Sequence, residues 1–198
     1  MAIFQRKQGY YDLYYEVREG KGEHPETIVF IHGLGFDSTI WQPLIEKLDP
    51  RFRVIVYDIC GHGRSGMYHN KFTWPFFRKE LFALLDHLNI KSCHLVGHGL
   101  GGIIATKSVV REDQCIKTLT LISTPFYFPE DFFKYEYDWR LDLLTKKRTT
   151  FAHEMALNAV YQPTPKKMKV LENAFRMVDE RLYSEIVQLV FATSDGFI

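Results

Sequence analysis

The stretch HLVGHGLGGI, residues 94–103, organises everything around it. Residues 92–99 form a short apolar run suited to a strand buried in a sheet, and residues 100–112 take helical spacing. Between them the chain must reverse character within one or two residues, with glycine at positions 97, 99, 101 and 102. A sharp, side-chain-poor bend between a strand and a helix is therefore predicted there.

On either side of this bend the same rhythm repeats. TIVFIH (27–32), RVIVYD (53–58) and IKTLTLISTP (116–125) are short apolar runs of the kind that sit in a parallel sheet covered on both faces. Residues 37–50 predict a helix, with Asp37 and Ser38 as caps and Trp41, Leu44, Ile45 and Leu48 at helical spacing. Residues 73–90 predict a longer amphipathic helix capped by Thr73, and YYDLYYEVREG (10–20) a leading antiparallel strand or hairpin. Strand and helix alternate, so the expected fold class is α/β: a mostly parallel sheet, helices on both faces and right-handed crossovers. Functional groups are then expected at the carboxyl ends of the strands.

Beyond Pro125 the texture changes. FYFPEDFFKYEYDWRLDLL is dense in aromatics, and helical stretches follow at 149–161 and 165–192, broken by QPTP. The expected organisation is a core over 1–125, a helical cap over 126–192, and the start of a further core segment at 193–198. Eight aromatics from Phe126 to Trp139 (Phe126, Tyr127, Phe128, Phe132, Phe133, Tyr135, Tyr137 and Trp139) suggest an apolar roof or a packing surface in equal measure.

Composition narrows the function. The 198 residues are 46% hydrophobic and 25% charged, and Lys+Arg 25 against Asp+Glu 24 leaves a net charge of +1. No broad field recruits nucleic acid or a membrane, so neither is an expected partner and a small apolar ligand fits better. No apolar run approaches the roughly 20 residues of a spanning helix, and the N-terminus has no leader pattern, so the expected compartment is the cytoplasm. Cys60, Cys93 and Cys115 are odd in number and lack metal-ligand spacing; they read as buried apolar residues, and neither a metal nor a cofactor is expected.

Three stretches at predicted strand ends, FIHGLGFD (30–37), YDICGHGRS (57–65) and VGHGLGG (96–102), occur in an order that resembles the α/β-hydrolase fold family. The likeness is to its small esterase, lipase and lactonase-like members with an inserted helical cap, and it covers residues 10–125, the cap matching more loosely. It implies that His32, Gly33, Leu34 and Gly35 form the oxyanion-hole loop, with the Leu34 and Leu100 amides as donors. It implies a nucleophile elbow formed by Gly97, His98, Gly99 and Gly101, with Gly102 helping to crowd it, in which Gly99 occupies the place of the nucleophilic serine. It also makes Asp58, His62 and Arg64 loop-bracing groups, and His94 a hydrogen-bonded core histidine.

Two departures from the family pattern follow. The attacking hydroxyl is absent at Gly99, and the acid and histidine that follow the cap in the family are not evident: Asp195 is the only late acid near the right stretch, and no histidine follows His153. Further core strands expected after the cap are missing from the stretch that ends FATSDGFI. Two readings stay open. One is a serine-type hydrolase of carboxylic esters, lactones or thioesters with an apolar acyl part, here nearly inactive. The other is a non-catalytic pseudoenzyme of the same fold that binds a small apolar ligand as a sensor or regulatory domain. The strand at 116–123, left at a sheet edge, is expected to pair with a second copy or to swap elements in a homo-oligomer.

Overall fold

A computed structural model describes residues 2–5, 11–109, 115–125 and 130–192. They resolve into two compact units, Met1–Thr124 and Pro125–Ile198. The first unit is built on β1 (Ala2–Gln5), β2 (Asp12–Arg18), β3 (Thr27–Ile31), β4 (Arg53–Tyr57), β5 (Cys93–His98) and β6 (Ile116–Ile122). These form one six-stranded sheet in the order β1-β2-β4-β3-β5-β6. Strands β4, β3, β5 and β6 run parallel, whereas β1 and β2 add an antiparallel margin. Antiparallel pairing of β2 needs only a loop, while each parallel step needs a crossover.

The central strands are continuous apolar runs because both their faces are covered. Phe30, Val54 and Val56 pack under Trp41 and Ile45. Val29, Ile31, Ile55 and Leu95 are completely buried. Helix α2 (Trp74–His87) and helix α3 (Leu100–Val109) pack on one another, and α3 lies along β5. The Thr73 side chain caps α2 by accepting the Phe76 N–H at 3.3 Å. Cys60 and Cys93 are buried and Cys115 is half-buried.

The segment 37–50 departs from its expected single helix. It forms a 3₁₀ turn, Ser38–Trp41, capped by Asp37, and then one α turn, α1 (Gln42–Ile45). Pro43 explains the break: it has no N–H to continue the preceding turn and suits only the start of a new one.

The second unit contains α4 (Glu130–Lys146), α5 (Arg148–Asn158), α6 (Pro165–Arg176) and α7 (Glu180–Phe191). Phe151, Leu182 and Ile186 form its fully buried centre, and Phe175 and Tyr183 set their rings edge-on to Phe151 at 6.1 and 5.5 Å. Helix α4 precedes the helical stretches legible in the sequence; its spacing is present in Tyr137, Leu141 and Leu144 but diluted by acids and aromatics. The expected helix over 165–192 is two helices, because Asp179 accepts the Leu182 N–H at 2.9 Å and restarts the chain as α7. Of the aromatic run, Tyr135 is 75% exposed and Trp139 36% exposed, so these two face solvent. Tyr137 bonds Ser184 at 2.7 Å within the unit. Phe126, Tyr127 and Phe128 lie outside the described residues, as does Asp195, and the side chains of Phe132 and Phe133 are likewise outside the description.

Candidate active site

Two loops leave the sheet side by side. Ile31, the last residue of β3, pairs in register with Gly97 near the end of β5. The chain then continues as His32-Gly33-Leu34-Gly35 on one side and His98-Gly99-Leu100 on the other. Both therefore emerge at the carboxyl edge of adjacent parallel strands, where open α/β sheets hold their ligands.

The elbow is held by its backbone. The Gly99 N–H donates to Ile122 O at 3.0 Å, and Gly99 O accepts the N–H groups of Gly102 and Ile103 at 3.0 and 3.2 Å, starting α3. Gly99 has φ +52, the left-handed region that side chains resist unless their surroundings impose it. The surrounding glycines are needed for a different reason, proximity. A Cβ on Gly101 would lie 2.2 Å from Ile31 O, one on Gly97 2.5 Å from Gly101 O, and one on Gly102 1.9 Å from Thr124 Oγ1. These positions let α3 press against the ends of β3 and β6. A Cβ on Gly99 meets only Gly33 Cα, at an ordinary 3.7 Å. Of the four glycines in the bend, the one at the nucleophile position is thus the one with room for a side chain.

The facing loop is equally tight. A Cβ on Gly33 would lie 2.7 Å from His98 Nδ1, so the His98 ring lies against that loop's backbone. Phe36 and Trp41 flank the ring edge-on at 5.3 and 6.4 Å. Burial lowers the His98 pKa from its ordinary value, which favours a neutral ring. Among the described residues its Nδ1 has no hydrogen-bond partner, and neither the Leu34 nor the Leu100 amide has one. Gly35 turns the loop with φ +81.

Beneath the loops lies a buried polar brace. His32 Nε2 accepts the Ile59 N–H at 2.9 Å, so Nδ1 carries the proton and donates to Gly33 O at 2.8 Å. Complete burial lowers the His32 pKa to about 4. His62 sits edge-on at 5.1 Å and donates from Nδ1 to Cys60 O at 3.1 Å; burial first, and then His32, lower its pKa to about 3. Asp58 is fully buried and joins two loops, accepting the Ser38 N–H at 2.7 Å and the Arg64 N–H at 2.9 Å. Ser65 accepts the Tyr14 N–H at 2.9 Å and donates to Asp58 O at 2.5 Å. Arg64 lies 3.5 Å over the Tyr14 ring. These groups fix loop shape; their side-chain bonds go to the protein itself.

The remaining singled-out histidines are elsewhere. His94, expected as a hydrogen-bonded core histidine, is the second residue of β5 and is bonded to Thr118 Oγ1 at 2.8 Å, but it is half-buried, on the strand face that it shares with the half-buried Val96 and His98. His153 is on α5 in the second unit and is held by Glu172 at 2.8 Å. Among the described residues no group of three or more His, Cys, Asp and Glu is arranged to hold a metal ion, and no helix is long and apolar enough to cross a membrane.

Glu80 is a buried polar group that the motifs do not point to. It is almost fully buried on α2, accepts the Tyr11 hydroxyl, and accepts the Cys60 N–H at 3.2 Å. A signal for it exists in the sequence: Glu80 falls between Phe77 and Leu84 on the apolar stripe of its helix, and a carboxylate there must have buried partners.

Comparison with known proteins bears on the fold. A family model described as "alpha/beta hydrolase fold" matches residues 26–189. A RutD protein of Pantoea ananatis, named as a candidate carbamate hydrolase, is 38% identical over 112 residues, 56% of this chain and 41% of the relative. A pimeloyl-[acyl-carrier protein] methyl ester esterase of Legionella pneumophila is 36% identical over 104 residues, 52% of this chain and 40% of the relative. The matches thus span about two fifths of these relatives' length. Among solved structures, the enol-lactonase of Burkholderia xenovorans superposes with a TM-score of 0.79 at 20% identity, covering 92% of this chain and 71% of that one. A structure from a study of Nitrososphaera gargenis carboxylesterases superposes at 0.77 with 23% identity, covering 96% and 72%.

Proposed function

The chain belongs to the α/β-hydrolase family, and on that basis we propose that its site is the acyl-transfer site of a serine-type hydrolase in a form without the nucleophile. The substrate class is a carboxylic ester, lactone or thioester with an apolar acyl part. The observation that carries this reading is the space at Gly99, open where Gly97, Gly101 and Gly102 are crowded, beside a facing loop whose Leu34 amide is unengaged among the described residues. In such chemistry the hydroxyl attacks the acyl carbon, and two amides stabilise the charge that develops on the carbonyl oxygen. Without the hydroxyl, turnover falls by a factor on the order of 10⁶, leaving roughly 10³ to 10⁴ over water from oxyanion stabilisation and binding.

The test is Gly99→Ser in the full reading frame that encodes this chain, assayed with p-nitrophenyl acetate and butyrate. Hydrolysis is expected to rise by about 10³ or more over the Gly99 parent. No rise, in a protein shown by circular dichroism to be folded, overturns the proposal.

A second reading is supported by Gly99 itself and by the engagement of His153 with Glu172: a non-catalytic domain that binds a small apolar acyl compound or lactone. Its signature is thermal stabilisation by such compounds with no turnover, either by the parent chain or by its Gly99→Ser variant.

A further inference from the structure

The α5–α6 connection carries a feature that the hydrolase reading does not use. From Met155 to Leu171 the sequence contains no aspartate or glutamate, yet it holds Lys166, Lys167 and Lys169. All three lysines are exposed on the first turns of α6. Among the described residues none pairs with a carboxylate; Lys167 alone is engaged, donating from Nζ to the Gln162 carbonyl at 3.3 Å. The nearest acid on the same helix does not neutralise them: Glu172 is taken by His153 and Arg176. The amino end of a twelve-residue helix adds its own positive potential to the same place.

Exposed apolar residues flank this charge along the chain. Tyr161 is 86% exposed at the turn, Leu157 is 43% exposed on the last turn of α5, and Val170 is 41% exposed on α6. Pro163 and Pro165 are exposed beside them. Helices α5 and α6 pack together, with His153 on one facing Glu172 on the other, so the end of α5 and the start of α6 share one end of the pair. Lysines with flexible stems interleaved with an amphipathic aromatic ring and short aliphatics match the boundary of an anionic bilayer. There ammonium groups meet phosphates, and the ring and aliphatic groups enter the headgroup layer.

We propose that the α5–α6 tip is a peripheral docking surface for anionic lipid, carried by Lys166, Lys167 and Lys169 with Tyr161 and Leu157. Whole-chain charge hides it, because three local positive charges vanish into a near-balanced total. The inference does not depend on the acyl-transfer reading, since no residue of the first unit takes part.

The experiment is cosedimentation of the intact chain with vesicles of phosphatidylcholine alone and with about 30% phosphatidylserine, at roughly 50 and 500 mM NaCl, on either side of the range where screening becomes strong. Binding is expected at least about tenfold stronger to the anionic vesicles at low salt, and released at high salt. The triple change Lys166→Gln, Lys167→Gln, Lys169→Gln is expected to abolish it, and Tyr161→Ala with Leu157→Ala to weaken it several-fold. All these side chains are exposed, and unchanged circular dichroism checks that the variants fold. Equal binding to neutral vesicles, or binding that survives the triple change, overturns the proposal. Binding to polyglutamate but not to vesicles overturns it in favour of an acidic polypeptide.

Discussion

Glycine has two meanings within one hexapeptide of this chain. At Gly97, Gly101 and Gly102 it stands where any Cβ would strike another atom, two of these contacts being fixed backbone. At Gly99 it stands where the backbone is left-handed but the space is open. Gly99→Ala should therefore cost only about 1 kcal/mol, the strain of a positive φ, while Gly101→Ala should cost about 3 kcal/mol or more by overpacking. Urea melts of the two variants check this, and Gly99→Ala proving the more damaging would contradict the open space. The buried histidines make a second prediction. His32 and His62 have folded pKa values of about 4 and about 3, below the unfolded value of roughly 6.5. Above that value neither state binds the proton; as pH falls below it the unfolded state protonates first and stability drops. The loss continues until the folded pKa values are reached. At pH 5 each ring should account for a loss of about 2 kcal/mol relative to pH 7.5. Urea melts at the two pH values measure it, and a flat profile would mean these rings are not buried and neutral.

Elements here owe their ends and their contacts to single polar groups. Asp37 and Thr73 are readable as caps because each precedes an apolar-periodic stretch. Asp179 is not, since the apolar spacing of α6 and α7 nearly runs on through it. Asp179→Ala should cost about 1 kcal/mol, measured as a fall in melting temperature. Asp58 works between elements: its two oxygens accept one N–H from the turn after β3 and one from the loop after β4. Asp58→Asn turns one acceptor into a donor facing an N–H, in a position with no access to water. The expected cost is about 3 kcal/mol. A circular-dichroism melt of Asp58→Asn within a degree or two of the parent would show that the loops do not depend on this carboxylate.

Across the first unit the sheet ends in two edge strands. Among the described residues β1 pairs only with β2 and β6 only with β5, and β6 leaves Thr118, Thr120 and Ile122 exposed. An edge strand presents a row of unpaired backbone N–H and C=O groups, a template for another strand. Copies of the chain are expected to associate there, giving a concentration-dependent dimer by light scattering that Ile122→Lys weakens; a monomer at every concentration sinks the expectation. Read residue by residue, the chain already displays its local features: apolar runs of strand length, helical spacing, caps, and three glycine-bearing bends at strand ends. Those signals act over a few neighbouring residues, so no partner segment is needed to see them. Packing in three dimensions settled the rest: which glycine has room, which carboxylate binds two loops together, that the His32 and His62 rings are sealed from water, and that three lysines stand clear of every described carboxylate at one helical turn. Each of those depends on distances between segments far apart in the chain, such as Gly101 against Ile31, and periodicity carries no information about such distances.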